Sequence, residues 1–143
     1  RLLAPEKSSR VLEIGTGSGF QTAILAKMSK EVFTVERIEA LMKKAQKRLE
    51  ALNFSNIRYK TGDGSMGWKE YAPYDRIMVT AAAGVLPDEL VNQLANGGRM
   101  VIPVGPPDLQ ELKLISKTED GRIYTETVGL VRFVELKGQY GWR

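Results

Sequence analysis

The chain contains neither cysteine nor histidine. It therefore cannot carry a Ser-His-Asp triad, a Cys-His pair, a thiolate nucleophile or a histidine-bound metal. If the chain is an enzyme, its reaction needs no imidazole to move a proton, and no metal is expected. Lacking cysteine, it also has no disulfide framework, which fits the cytoplasm. No apolar run approaches the ~20 residues of a membrane span. The opening RLLAPEKSSR lacks the apolar core of a signal peptide. A cytoplasmic chain with no membrane partner is the expectation. Charge of one sign is not in large excess either, with 21 Lys and Arg against 17 Asp and Glu, a net +4. The densest basic stretch, KKAQKR (43–48), has no interleaved aromatics. It reads as a solvated helix face, so no nucleic-acid partner is expected.

What is present is an ordinary globular composition, 43% hydrophobic and 27% charged over 143 residues, enough for one domain across 1–143. Short apolar runs at 10–14, 31–35, 57–60, 75–80 and 99–104 predict five strands. Helices are predicted at 20–28 and about 38–52, the second from apolar residues at Ile38, Leu41, Met42, Ala45, Leu49 and Leu52. A third, around 87–95, is expected to open at Pro87 and close into Gly97-Gly98. Alternating strands and helices imply right-handed βαβ units and a parallel sheet. The end differs, because β-rich runs at 110–117 and 123–134 flank Asp120-Gly121, a hairpin signal. The expected fold is α/β and Rossmann-like, a mostly parallel seven-stranded sheet ending in an antiparallel pair.

The most informative stretch is VLEIGTGSGF (11–20), with Gly15, Gly17 and Gly19 at alternate positions between a strand and a helix. That corner of an α/β sheet binds nucleotides. The dinucleotide fingerprint GxGxxG wants a small residue where Phe20 stands, and the Lys-Ser/Thr pair of a P-loop is missing. Glu13, two residues before the first glycine, would repel a pyrophosphate and suit a ligand of positive charge. S-adenosylmethionine, with a sulfonium, an ammonium and no phosphate, is such a ligand. The alternative is a Gly-rich turn with Glu13 in a salt bridge. Glu36, at the end of the second strand, is placed to accept from ribose hydroxyls or to cap the next helix. Asp63, in TGDGS after the third strand, is placed to accept from an adenine amino group or to make a turn with Gly64. Three acids at three consecutive strand ends favour the methyl donor. Trp68 and Trp142 read as core or lid packing, and Asp75 as structural. Gln110 fits either a substrate-facing position or ordinary strand polarity.

VLEIGTGSGFQTAILA, VERI, GDGSMGW, APYDRIMVTAAA, QLANGGRMVIPVG and VRFVELKGQYGW resemble the protein-L-isoaspartate O-methyltransferases, in the family's order from about Arg10 to Trp142. The resemblance implies S-adenosylmethionine held by Glu13, Gly15, Gly17, Gly19, Glu36, Asp63 and Gly64. It implies a substrate slot lined by Thr80, Ala81 and Ala82, where the Thr80 hydroxyl and backbone N–H groups of 81–83 would fix a carboxylate. The implied activity is methyl transfer to the α-carboxyl of L-isoaspartyl residues, and the implied partners are isoaspartyl-containing proteins met by a monomer. Family members carry a long segment before the first strand, including a Ser-containing catalytic stretch, whereas this chain starts at Arg1. An N-terminally truncated form is therefore expected. Gly84 and Glu135 stand where the family usually has proline. Two alternatives are another O-methyltransferase of this fold and a cofactor-binding fragment without turnover.

Overall fold

The computed structural model describes residues 2–134 and 136; Trp142 and Glu135 lie outside the described residues. Seven strands form one sheet in the order β3-β2-β1-β4-β5-β6-β7. They are β1 (Arg10–Ile14), β2 (Glu31–Glu36), β3 (Ile57–Thr61), β4 (Tyr74–Val79), β5 (Leu94–Val104), β6 (Gln110–Lys117) and β7 (Ile123–Val131). Pairings among β1 to β5 are parallel, and β6 and β7 are added antiparallel. The chain order reverses between β1 and β4, so the loops leaving those strands part and open a crevice at their carboxyl ends. No helix among the described residues is long and apolar enough to cross a membrane.

Strand alternation sorts the side chains into two layers. Leu12, Ile14, Phe33 and Val35 face a cluster that includes Trp68, Tyr74 and Leu90. Val11 and Val32 face the other way, against Leu25 and Ala26 of α1 (Phe20–Met28). The same alternation puts Glu13 and Thr34, which pair in register, on the α1 side. Asp75 is structural as expected, its Oδ2 accepting from the Arg10 N–H at 2.8 Å. Trp68 is buried core, edge-on to Phe33 and Tyr71.

Helix α2 (Glu39–Ala51) buries Met42, Ala45 and Leu49, while Ile38, Leu41 and Leu52 are exposed. The apolar stripe is thus wider than the core it covers. Lys43, Lys44 and Lys47 are solvated, as their composition predicts.

Two element boundaries differ from expectation. The third helix, α3, is only Asp88–Asn92, with Pro87 just ahead of it, and β5 already begins at Leu94. Gly97-Gly98 lies inside that strand rather than ending a helix. A side chain at Gly98 would meet the Ala95 and Asp75 carbonyls within 3 Å, where the β4–β5 register shifts. The glycines therefore serve close backbone approach at a bulge. Strand β7 stops at Val131, short of 134, because the next residues leave the ladder for other partners. Phe133 N–H donates to Gln110 Oε1 at 2.7 Å, and the Val134 carbonyl accepts from Ala82 N–H at 2.6 Å.

Phe33 is fully buried, with Trp68, Tyr71 and Tyr74 rings at 5.8, 5.1 and 5.4 Å and the Arg10 guanidinium 5.0 Å over its face. Phe33→Ala should lower the unfolding free energy by about 3–5 kcal/mol through the lost burial and the cavity left behind, measured from the urea midpoint and slope.

Candidate functional site

The site is built around the turn that leaves β1. Gly15 donates its N–H to the Val35 carbonyl at 2.8 Å and has φ +101°. A Cβ there would collide with Thr80 Oγ1, so glycine is required both by conformation and by the strand-end contact. Gly17, at φ +55°, has nothing within 4 Å of where its Cβ would be, so the turn shows bare backbone to an open space. Gly19 looks elsewhere. A Cβ on it would lie 3.3 Å from both Ala45 and Leu49, so it seats α1 on α2 and does not line the crevice.

Glu36 closes the end of β2, where its carboxylate ties the glycine turn to the residues that lead into α2. Its Oε1 accepts from Gly17 N–H at 2.9 Å, and its Oε2 accepts from Ile38 N–H at 3.0 Å, ahead of α2. Each carboxylate oxygen keeps acceptor capacity toward the cavity it lines.

Glu13 is not in that cavity wall and not in a salt bridge. It is fully buried beneath the turn, and its Oε1 accepts from the hydroxyls of Thr22 and Thr34. Thr34 has one hydroxyl hydrogen, so Thr16 of the glycine turn is left to donate to Thr34. Glu13 Oε2 has no partner. Burial pushes the Glu13 carboxyl up to about 7, with the Glu36 charge adding to the rise and the two threonines opposing it. Its geometry is that of a support for the turn, reached through threonines, rather than of a direct ligand contact.

Asp63 sits at the start of the short 3-10 turn Gly64–Met66, its Oδ1 accepting from the N–H and hydroxyl of Ser65 at 2.9 and 2.6 Å. Gly64 does line the cavity, and a Cβ on it would lie 2.5 Å from Ile14 Cγ2. On the far side, Thr80 and Ala81 line the cavity and Ala82 does not. Three of the expected carboxylate donors, all but the Ala81 N–H, are already committed. Thr80 Oγ1 donates to the Ile14 and Gly15 carbonyls at 3.0 and 3.1 Å, one at a time. The N–H groups of Ala82 and Ala83 bond the carbonyls of Val134 and Pro103 at 2.6 and 2.9 Å. Thr80 therefore clamps the glycine turn instead of presenting its proton to a substrate.

The resulting cavity, about 770 Å³, is lined by Gly17, Glu36 and Gly64 together with Thr80, Ala81, Pro107, Phe133, Val134 and Leu136. Sequence reasoning missed Arg37, Ile38 and Leu41 on its rim and the apolar quartet 107, 133, 134 and 136. The surplus apolar width of α2 was a usable signal for Ile38 and Leu41. Nothing local marked Phe133 or Val134, whose place depends on a distant partner. Among the described residues no group of three or more acidic side chains is arranged to hold a metal ion.

The buried Glu13 gives a pH signature. Its folded-state value lies above its ordinary 4.5, so the native state holds the proton more tightly than the unfolded chain does. Its contribution is most favourable below pH 4.5 and is lost as pH rises through about 7. Between pH 4 and 8 the unfolding free energy of the parent should fall, relative to Glu13→Gln, by on the order of 3 kcal/mol. Parallel denaturation series of the two proteins check this.

Comparison with known proteins bears on what such a crevice is for. The family model described as Protein-L-isoaspartate(D-aspartate) O-methyltransferase (PCMT) matches residues 1–141. The protein-L-isoaspartate O-methyltransferase of Dictyoglomus turgidum is 56% identical over 134 residues, 94% of this chain and 60% of that protein. That of Dictyoglomus thermophilum is 55% identical over 136 residues, covering 95% and 61%. The chain thus spans about 60% of the length of these curated relatives. A solved protein-L-isoaspartate O-methyltransferase superposes with a TM-score of 0.87 at 29% identity, over 97% of this chain and 45% of that one. A Plasmodium falciparum protein described as the same enzyme, solved with S-adenosyl-L-homocysteine, gives 0.79 at 28% identity, over 95% and 68%. The strand order and the glycine turn agree with that kinship, and the chain belongs to the protein-L-isoaspartate(D-aspartate) O-methyltransferase family.

Proposed function

We propose that this chain binds S-adenosylmethionine in the crevice between β1 and β4 and directs its methyl group to the α-carboxyl of L-isoaspartyl residues in proteins, as a repair methyltransferase of the cytoplasm. The observation that carries the cofactor half is the pairing of Glu36 with Gly17. A bare backbone and a nearly buried carboxylate face the same cavity. That carboxylate suits a ligand with a vicinal diol and would repel a pyrophosphate placed against it. Glu36 would accept from the ribose hydroxyls. Gly15, Gly17 and Gly64 would let the ligand approach the backbone, and Ile38 and Leu41 would supply an apolar wall. Asp63, Glu13 and Gly19 act from behind by shaping the turns.

When bound, S-adenosylmethionine supplies an electrophilic methyl carbon: a carboxylate oxygen bonds to it as the S–CH3 bond breaks, the electron pair passing to sulfur. An ionised carboxyl needs no base to attack, which fits a chain without histidine. The chain's own task is orientation and exclusion of water. Ala81, Pro107, Phe133, Val134 and Leu136 offer an apolar wall for that purpose. With the Thr80 hydroxyl and the 82 and 83 amides engaged elsewhere, selection of the acceptor carboxylate falls to the shape of this wall and to the Ala81 N–H.

Glu36→Ala should weaken S-adenosylhomocysteine binding by about 1–3 kcal/mol, the cost of leaving buried hydroxyls unpaired. Calorimetry on the parent and the variant checks it, and an unchanged affinity removes Glu36 from the site. Stronger binding of NAD than of S-adenosylhomocysteine by the parent overturns the reading. Thr80→Val removes the hydroxyl that clamps the Gly15 carbonyl, so cofactor affinity should fall. The same calorimetry checks this, and normal affinity with reduced methylation of an isoaspartyl peptide would return Thr80 to the substrate side.

A further inference from the structure

Three chain segments far apart in sequence meet along the apolar wall of the cavity. They are 81–83 after β4, 105–109 between β5 and β6, and 132–134 with Leu136 after β7. Backbone bonds join two of the three junctions. Gly105 N–H donates to the Ala83 carbonyl at 2.8 Å; the Val134 carbonyl accepts from Ala82 N–H, and Leu136 N–H donates to the Ala82 carbonyl, both at 2.6 Å. The third junction, between 105–109 and 132–134, is closed by side chains. Gln110 Nε2 donates to the Pro106 and Pro107 carbonyls at 2.8 and 3.0 Å, while its Oε1 accepts from Phe133 N–H at 2.7 Å. Arg132 Nε adds an exposed bond of 2.8 Å to the Asp108 carbonyl. Gln110 is 1% exposed, so its amide is held away from bulk water.

Pro107 and Phe133, the residues on either side of this amide, both line the cavity. Gln110 itself does not, so neither a substrate-facing role nor plain strand polarity describes it. A planar amide with two donors on one wall and an acceptor on the other works as a spacer of fixed length. We propose that Gln110 is a positioning residue that sets the separation of Pro107 and Phe133, and so decides which acceptor carboxylate fits beside Ala81.

The chemistry of the acceptor explains why a fixed width matters. In an isoaspartyl residue the chain continues through the side-chain carboxyl, leaving a free carboxylate directly on Cα. In an aspartyl residue the free carboxylate hangs one methylene further out. A wall that discriminates one methylene gains roughly 10–200-fold at most, and only if it does not relax. Breathing of the 107–133 gap would erase such a margin.

This inference rests on the proposed acceptor, and its test separates the two. The chain is saturated with S-adenosylhomocysteine, and its affinity for a labelled isoaspartyl peptide and for the aspartyl twin is measured by fluorescence anisotropy. Gln110→Met keeps the length and removes all three bonds. Gln110→Glu keeps the acceptor, loses both donors while ionised, and serves if the first variant does not fold. The expected result is a preference of the parent for isoaspartyl peptide that falls at least about fivefold in the variants, with S-adenosylhomocysteine affinity within twofold. An unchanged preference overturns the spacer role alone. A parallel loss of S-adenosylhomocysteine affinity also overturns it, reducing Gln110 to general support. A parent without preference overturns both the spacer role and the isoaspartyl acceptor.

Discussion

The contact between Gly15 and Thr80 is the constraint on which the rest of the structure depends. The sheet reverses its order between β1 and β4, and there the two strand ends must touch before they part. Thr80 N–H and its hydroxyl both reach the Ile14 carbonyl, and only a glycine fits against the hydroxyl at 15. With that point fixed, the turn is thrown toward α2, Gly17 meets Glu36, and the cavity has a floor. A bulkier residue at either position would separate the strands where the ligand is meant to sit.

Glu13 shows the opposite kind of investment. A carboxyl buried with one oxygen unpartnered is destabilising when ionised, yet it collects three threonines from the turn, α1 and β2. Its acidity is set by burial more than by any partner. The stability it forgoes is exchanged for a turn whose position is specified by four side chains instead of by packing alone.

Local information was legible in the sequence, and contacts across the sheet were not. The strand, glycine turn and helix of 10–28 follow from period and spacing, as do the parallel order and the closing hairpin. Glu36 does line the cavity, a position that depends on the strand end alone. Glu13 was placed in the site but on the wrong side of the turn, although counting alternate residues along β1 puts it with Val11 on the α1 side. Gly97-Gly98 resembles a helix stop, and only the crowding by Asp75 from β4 shows it to be a bulge. Thr80 and Gln110 spend their polar atoms on backbone groups that spacing does not reveal, the Thr80 acceptors lying 66 and 65 residues away.

The strand order also has a kinetic side. β5, β6 and β7 pair with their sequence neighbours, whereas β1 must find β4 across two intervening helices and two strands. Arg10 and Asp75, which bond at that seam, are 65 residues apart. Closing so long a loop costs conformational entropy before any pairing repays it, so this seam is expected to be slow to form. The cavity exists only once it has closed, because its walls come from both halves of the sheet. Any ligand that fills it therefore binds the assembled molecule and not its parts, and by mass action it holds the two halves together during the life of the fold.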